Sequence, residues 1–226
     1  MQTVEETIDF PQVADLLRRG GRVSLFVRHS ERPPIDPNDI TFGRTLPLTP
    51  NGVTLARDAG RHLAGFTDVR FAASPMVRCR MTAQCIAAGM GLSDVSVADE
   101  PYLGLKCFYY EEPEKLQAVM RQRGYLPFML EYLRNGVAPY SRPIGVATGL
   151  MTAWLKGATT HQLNVLVSHD IFVASLLTGL NVRTYTEDNW VGFVHGAAIV
   201  NLPDGSWRCY PCVPEITAEQ GVPFVH

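Results

Sequence analysis

The 226-residue sequence has no uninterrupted apolar stretch near the roughly 18 residues of a membrane span, and no long basic run. The first absence leaves no membrane partner to expect, and the second, with a formal net charge of −2, argues against nucleic acid as an obligatory partner. Residues Met1–Phe10 carry Glu5, Glu6 and Asp9 and lack the basic, then apolar, then small-residue order of a secretory signal. A cytoplasmic location is the expectation. Internal repeats and low-complexity tracts are missing too, which removes solenoids and disordered arrays from consideration. An apolar content of 46% and a charged content of 19% are ordinary for a globular protein, and the length fits one α/β domain with a sizeable core.

Cysteine is sparse and odd in number, five in all, which fits reduced thiols better than a disulfide framework. Cys209-Tyr210-Pro211-Cys212 is a lone CxxC. Structural zinc would need two more thiolates or imidazoles, and only Cys107 and His226 are loosely placed to supply them. A redox pair would need a helix opening after the first cysteine, whereas Pro211 and Pro214 make this stretch an extended tail. No metal and no cofactor are expected.

Three stretches carry chemistry. In Val23–Pro34 an apolar run of strand length ends in Arg28-His29 and a turn-rich loop with Arg32. The carboxyl end of a buried parallel strand is where α/β proteins place ligands. Guanidinium forks at Arg28 and Arg32 suit a phosphate or carboxylate, and His29 offers a titratable ring nitrogen between them. Val69–Ala73 reads as a second short strand running into Ser74-Pro75, with Ser74 as the expected N-cap, Pro75 as first helical residue and Arg78 one turn inside. Leu163–Ser168 reads as a third strand and ends in His169-Asp170, just before the apolar helix Ile171–Leu180.

Arg28-His29-Ser30-Glu31-Arg32-Pro33-Pro34, then Arg78, then His169-Asp170 resembles the histidine phosphatase superfamily, with motifs nearest its acid phosphatase and phytase branch. That resemblance implies a phosphoglycerate mutase-like fold and a nucleophilic His29 that becomes phosphohistidine. It further implies Arg28, Arg32, Arg78 and His169 around the phosphoryl oxygens and Asp170 as proton donor to the leaving alcohol. Two departures stand out: Ser30 occupies the position of the family's glycine, and the chain is shorter than acid phosphatases usually are. The sister branch, which includes the phosphoglycerate mutases, draws its acid from the segment after the second arginine, where Glu100 is the nearest candidate; Glu100 is therefore the second choice.

The bottom-up chemistry agrees. Neighbouring guanidinium groups disfavour the imidazolium and keep His29 nucleophilic. The same groups stabilise the charge spread over a transferring phosphoryl group. An aspartic acid beside bound phosphate has its pKa raised, so faster turnover in mild acid is expected.

The expected fold is a three-layer α/β/α sandwich, mostly parallel with one antiparallel strand, forming a single domain over residues 1–226. Within it, residues 99–142 read as an insertion or cap, containing helices Pro113–Arg123 and Leu126–Leu133 and a concentration of aromatics; Lys106, Arg121 and Arg123 are its candidates for meeting the rest of a substrate. Further helices are expected over Pro11–Arg19, from a Thr49 cap to Ala64, and over Ile144–Lys156. A hairpin from Trp190–Leu202 to Ser206–Tyr210 would turn at Pro203-Asp204-Gly205, with Val191, Phe193 and Val194 lining the core and His195 structural. The partner is expected to be a small phosphomonoester. Phosphomutase activity, or phospholigand binding without turnover, are the alternatives to hydrolysis, and oligomeric state is not encoded legibly.

Overall fold

The strand that ends in Arg28 lies in the middle of a seven-stranded sheet. A computed structural model describes residues 6–36 and 39–215. In chain order the elements are β1 (Ile8–Asp9), α1 (Phe10–Arg18), β2 (Arg22–Arg28), α2 (Pro50–Arg61), β3 (Val69–Ala73), α3 (Val77–Gly89), β4 (Val97–Asp99), α4 (Pro113–Arg123), α5 (Tyr125–Asn135), α6 (Ile144–Ala158), β5 (Leu163–Ser168), α7 (Asp170–Gly179), β6 (Gly196–Asn201) and β7 (Trp207–Val213). The sheet order is β1-β7-β6-β2-β5-β3-β4. Every neighbouring pair is parallel except the two made by β6, which runs against β2 and β7.

Strand alternation divides the core in two. Val23, Leu25 and Val27 of β2 and Val165 and Val167 of β5 face a cluster with α1, α2 and α3. Phe26 and Leu166 face the opposite cluster, built with α6 and α7. The three-layer sandwich follows from this period-two pattern, each face needing its own helical cover. Residues of the 99–142 segment, among them Leu103, Met120, Phe128 and Tyr132, belong to the second cluster and pack with α7.

Local signals account for most element boundaries. Thr49 caps α2 by accepting from the Gly52 amide at 2.9 Å, with Pro50 at the first helical position. Asp9 and Gln12 form a reciprocal capping box that starts α1 one residue earlier than expected. The expected cap at Ser74 is corrected: α3 begins at Val77 with Met76 in the cap position and no side-chain cap bond. Ser74 is instead used by His169, as described below.

The hairpin turns where expected, with the Gly205 amide donating to Leu202 O and a positive φ at Gly205. Its first strand is shorter than expected, starting at Gly196, because the His195 amide turns back to Gly192 O and Val194 sits at φ 62°. The Cys209–Cys212 stretch is part of β7 rather than a tail, and the two thiols belong to opposite faces of the sheet, Cys209 with the α6 and α7 cluster and Cys212 with the α1 to α3 cluster. A separation of three along a strand points side chains to opposite faces, so these thiols cannot meet at one ion. His226 lies outside the described residues. Among the described residues no helix is long and apolar enough to cross a membrane.

Candidate active site

β2, β5 and β3 are adjacent and parallel, and their carboxyl ends stop in register: Arg28 pairs with Ser168, and Ala73 with Val167. The residues that follow each strand are therefore delivered to one place. The His29 amide donates to Ser168 O at 2.9 Å and the Ser74 amide to Val167 O at 2.9 Å, fixing both loop starts to the central strand. His29, Arg78, His169 and Asp170, together with Arg32, line a single cavity of about 450 Å³.

His29 is buried, and its Nδ1 lies 2.8 Å from the carbonyl oxygen of Ser30. A carbonyl can only accept, so Nδ1 carries the hydrogen and Nε2 keeps its lone pair. Burial first, then the neighbouring His169, Arg78 and Arg28, hold the imidazole well below its usual pKa, leaving a neutral ring with a nucleophilic nitrogen. Ser30 is anchored twice, its amide to Thr82 Oγ1 at 2.9 Å and its hydroxyl to Gly52 O at 2.7 Å. Gly52 is required by this contact, since a Cβ there would lie 2.2 Å from Glu31 O. The start of α2 thus presses directly on the backbone that carries His29.

The His169 ring meets that of His29 edge to face, with centroids 5.5 Å apart, and its Nε2 is 3.0 Å from Ser74 Oγ. Burial and Arg78 lower its pKa to about 3, so it too is neutral. The Cys79 thiol lies 3.8 Å from the same nitrogen and is pushed up to about 12 by burial, which makes it an unreactive neighbour.

Arg78 Nη1 donates to Gly43 O at 2.7 Å and Arg32 Nη1 to Pro33 O at 2.8 Å. Arg28 is not among the lining residues: its guanidinium donates to Val191 O, approaches Asp170 Oδ2 at 3.4 Å and covers the Phe193 ring at 4.4 Å. The Nε atoms of Arg28, Arg32 and Arg78 are three of the five buried polar side-chain atoms without a hydrogen-bond partner among the described residues. Arg32 and Arg78 line the cavity, and their unused buried donors suit an anion.

Asp170 opens α7. Its Oδ1 accepts from the Tyr125 hydroxyl at 2.6 Å and from the Ile171 amide at 2.9 Å, and its Oδ2 from Trp190 Nε1 at 3.1 Å. Burial would raise its pKa, but Arg28 and the bonds from Tyr125 and Trp190 outweigh that effect and hold it well below the usual carboxylate range. The raised acid expected beside phosphate is therefore an ionised carboxylate when the cavity is without phosphate. Glu100 does not line the cavity; its carboxylate accepts from the Tyr102 amide and caps the 3-10 turn Pro101–Leu103.

Tyr125, Trp190, Phe193 and Ser74 were not legible as site residues. Tyr125 was one aromatic among many in the insertion, Trp190 and Phe193 read as strand or core, and Ser74 read as a helix cap. Phe193 is half-buried, 6.3 Å from the His29 ring, rather than core. Of the three cations singled out in residues 99–142, Arg121 lines the cavity, Arg123 pairs with Glu131, and Lys106 is not among the lining residues. Among the described residues no group of three or more His, Cys, Asp or Glu could hold a metal ion.

Residues 24–103 match the family model of the histidine phosphatase superfamily (branch 1). The matched span holds Arg28, His29, Arg32 and Arg78 and ends before His169-Asp170, so the acid phosphatase and phytase branch rests on the motif alone. No curated protein matches the chain. Among solved structures, the fold is similar to that of a phosphoglycerate mutase from Bacillus anthracis at 15% identity and a TM-score of 0.55, over 86% of this chain and 93% of that one. It is also similar to mycobacterial hydrolase 2, at 15% identity and 0.53 over 88% and 94%, and to a mycobacterial glucosyl-3-phosphoglycerate phosphatase, at 14% and 0.52 over 85% and 100%. The phosphoglycerate mutase-like fold thus extends well beyond the matched span.

Proposed function

We propose that this histidine phosphatase-like chain is a phosphomonoester hydrolase working through phospho-His29. The observation that carries the reading is the tautomer of His29, whose Nδ1–H is held by Ser30 O so that Nε2 is the attacking atom, in a cavity shared with Arg32, Arg78 and Asp170.

In the first step His29 Nε2 bonds to phosphorus and the phosphorus–oxygen bond to the alcohol breaks. Arg32 and Arg78, with His169 beside them, meet the charge that spreads over the phosphoryl oxygens. The departing alkoxide needs a proton. A substrate arriving as the monoanion brings one, and phosphoryl charge beside Asp170 raises the affinity of that carboxylate for it. Asp170 then passes the proton to the leaving oxygen. In the second step water attacks phosphorus, its proton goes to Asp170, and the phosphorus–nitrogen bond breaks to restore His29. Arg28 acts through Asp170, holding its carboxylate in place, rather than on phosphate.

The test is release of inorganic phosphate from p-nitrophenyl phosphate with a chelator present, for the parent and His29→Ala. Release that depends on His29 and survives the chelator supports the hydrolase. Exchange of phosphoryl groups between alcohols without net release would instead identify a mutase.

A further inference from the structure

We infer that the cavity takes phosphomonoesters whose alcohol portion is predominantly apolar and carries no second anionic group. This deepens the hydrolase reading and rests on it for the phosphoryl end of the ligand. Beyond His29, Arg32, Arg78, His169 and Asp170, the wall is formed chiefly by Phe42, Met76, Leu105, Tyr110, Met120 and Phe172, with Gln117 the one neutral amide among the described lining residues. The Tyr110 and Phe172 rings pack edge to face at 5.2 Å, and the Tyr125 hydroxyl is committed to Asp170. A sugar or glycerol moiety seated there would give up hydrogen bonds to water with few replacements, whereas an alkyl or aryl group would gain by leaving water.

The charges at the rim point the same way. Asp36 and Asp39 both line the cavity. The Asp39 carboxylate accepts from the Thr41 hydroxyl at 2.6 Å and from the Thr41 and Gly43 amides at 2.7 and 2.8 Å, bonds that keep it ionised. Arg121, the rim cation among the described lining residues, lies over the Phe42 ring at 5.5 Å with Nη1 directed at Ile40 O at 3.5 Å. Asp39, held ionised at the rim, offsets Arg121, so the rim offers a second phosphate or a carboxylate on the substrate no net attraction.

The experiment uses two homologous series on the intact chain: kcat/KM for n-alkyl phosphates from ethyl to hexyl, and Kd by calorimetry for the matching n-alkylphosphonates, which cannot be hydrolysed. Each added methylene should improve both quantities by about two- to fourfold. Glycerol phosphate and 3-phosphoglycerate should fall about tenfold or more below butyl phosphate. Leu105→Lys, at a wall position already 44% exposed, should flatten both series and narrow the gap to 3-phosphoglycerate. Phosphonate affinities independent of chain length, or 3-phosphoglycerate as the better substrate of the parent, would overturn the inference. Chain-length-dependent phosphonate binding without turnover of any ester would uphold it while removing the hydrolase. His29-dependent turnover of p-nitrophenyl phosphate with flat series would do the reverse.

Discussion

The hydroxyl of Tyr125, at the start of α5, donates to Oδ1 of Asp170 at 2.6 Å across the cavity wall. Burial and the adjacent carboxylate keep the phenol protonated, so it is a permanent donor and holds Asp170 in its ionised form. The 99–142 segment therefore reaches the proposed proton carrier directly, in addition to shaping the space around it.

Tyr125→Phe removes that donor and leaves the ring. A hydrogen bond to a charged group is worth roughly 1.5–3 kcal/mol, and this one favours the ionised carboxylate, so its loss should raise the proton affinity of Asp170 and hold or raise kcat for alkyl phosphates relative to p-nitrophenyl phosphate. Steady-state kinetics across leaving groups checks this, and an unaltered ratio would mean that Tyr125 does not tune the proton affinity of Asp170.

Asp170→Asn should slow esters of poor leaving groups far more than p-nitrophenyl phosphate, because only an alkoxide has to be protonated as it departs. Equal losses on both would assign Asp170 a positional role and return attention to Glu100, although its carboxylate is turned to the Tyr102 amide.

The proton carried in by the substrate monoanion sets the pH dependence of the reaction. Phosphomonoesters lose their second proton near pH 6, so kcat/KM should decline as pH rises through about 6 to 7. The descending limb should move with the substrate: a phosphate ester of lower second pKa should lose activity at correspondingly lower pH. A limb that stays in place across substrates would assign it to a protein group.

Two buried histidines, His29 and His169, and the half-buried His195 govern stability in acid. His169 has its pKa lowered to about 3, His195 to about 4, and His29 well below the ordinary value, burial being the first cause in each case. The unfolded chain takes up these protons near pH 6.5 and the folded chain does so only at lower pH. Stability is therefore fully present above about pH 6.5 and is lost as pH falls through the window toward 4, by up to about 1.4 kcal/mol per pH unit for each histidine. Urea unfolding between pH 7 and 4.5 measures the slope, and His195→Gln should reduce it by about one proton. Asp170, with its pKa also depressed, adds a loss of the same sign at still lower pH.

Gly52→Ala would place a Cβ 2.2 Å from Glu31 O, on the segment that carries His29. Displacement of that backbone should cost about 2 kcal/mol, lowering Tm by roughly 4–8 °C, and reduce kcat about tenfold or more through misplacement of the nucleophile. Gly145→Ala, on an open face of α6, is the control and should leave both intact or raise Tm slightly.

Sequence alone determined the elements that local physics controls. Apolar runs of strand length ending in Arg28-His29, Ala73-Ser74 and His169-Asp170 located the site, because a buried parallel strand must end where its loop meets solvent and ligand. Thr49-Pro50 at the opening of α2 and Pro203-Asp204-Gly205 at the hairpin were equally legible, since their conformations depend on the residues themselves. Tertiary structure decided the rest. Only the side-by-side order of β2, β5 and β3 brings the three strand ends together, and only strand alternation separates Cys209 from Cys212. Ser74 left its expected capping role for His169, Arg28 turned from the cavity to Asp170, and Tyr125 and Trp190 became partners of that carboxylate. Each of these depends on distances across segments far apart in the chain, and a spacing read along one strand or helix carries no information about them.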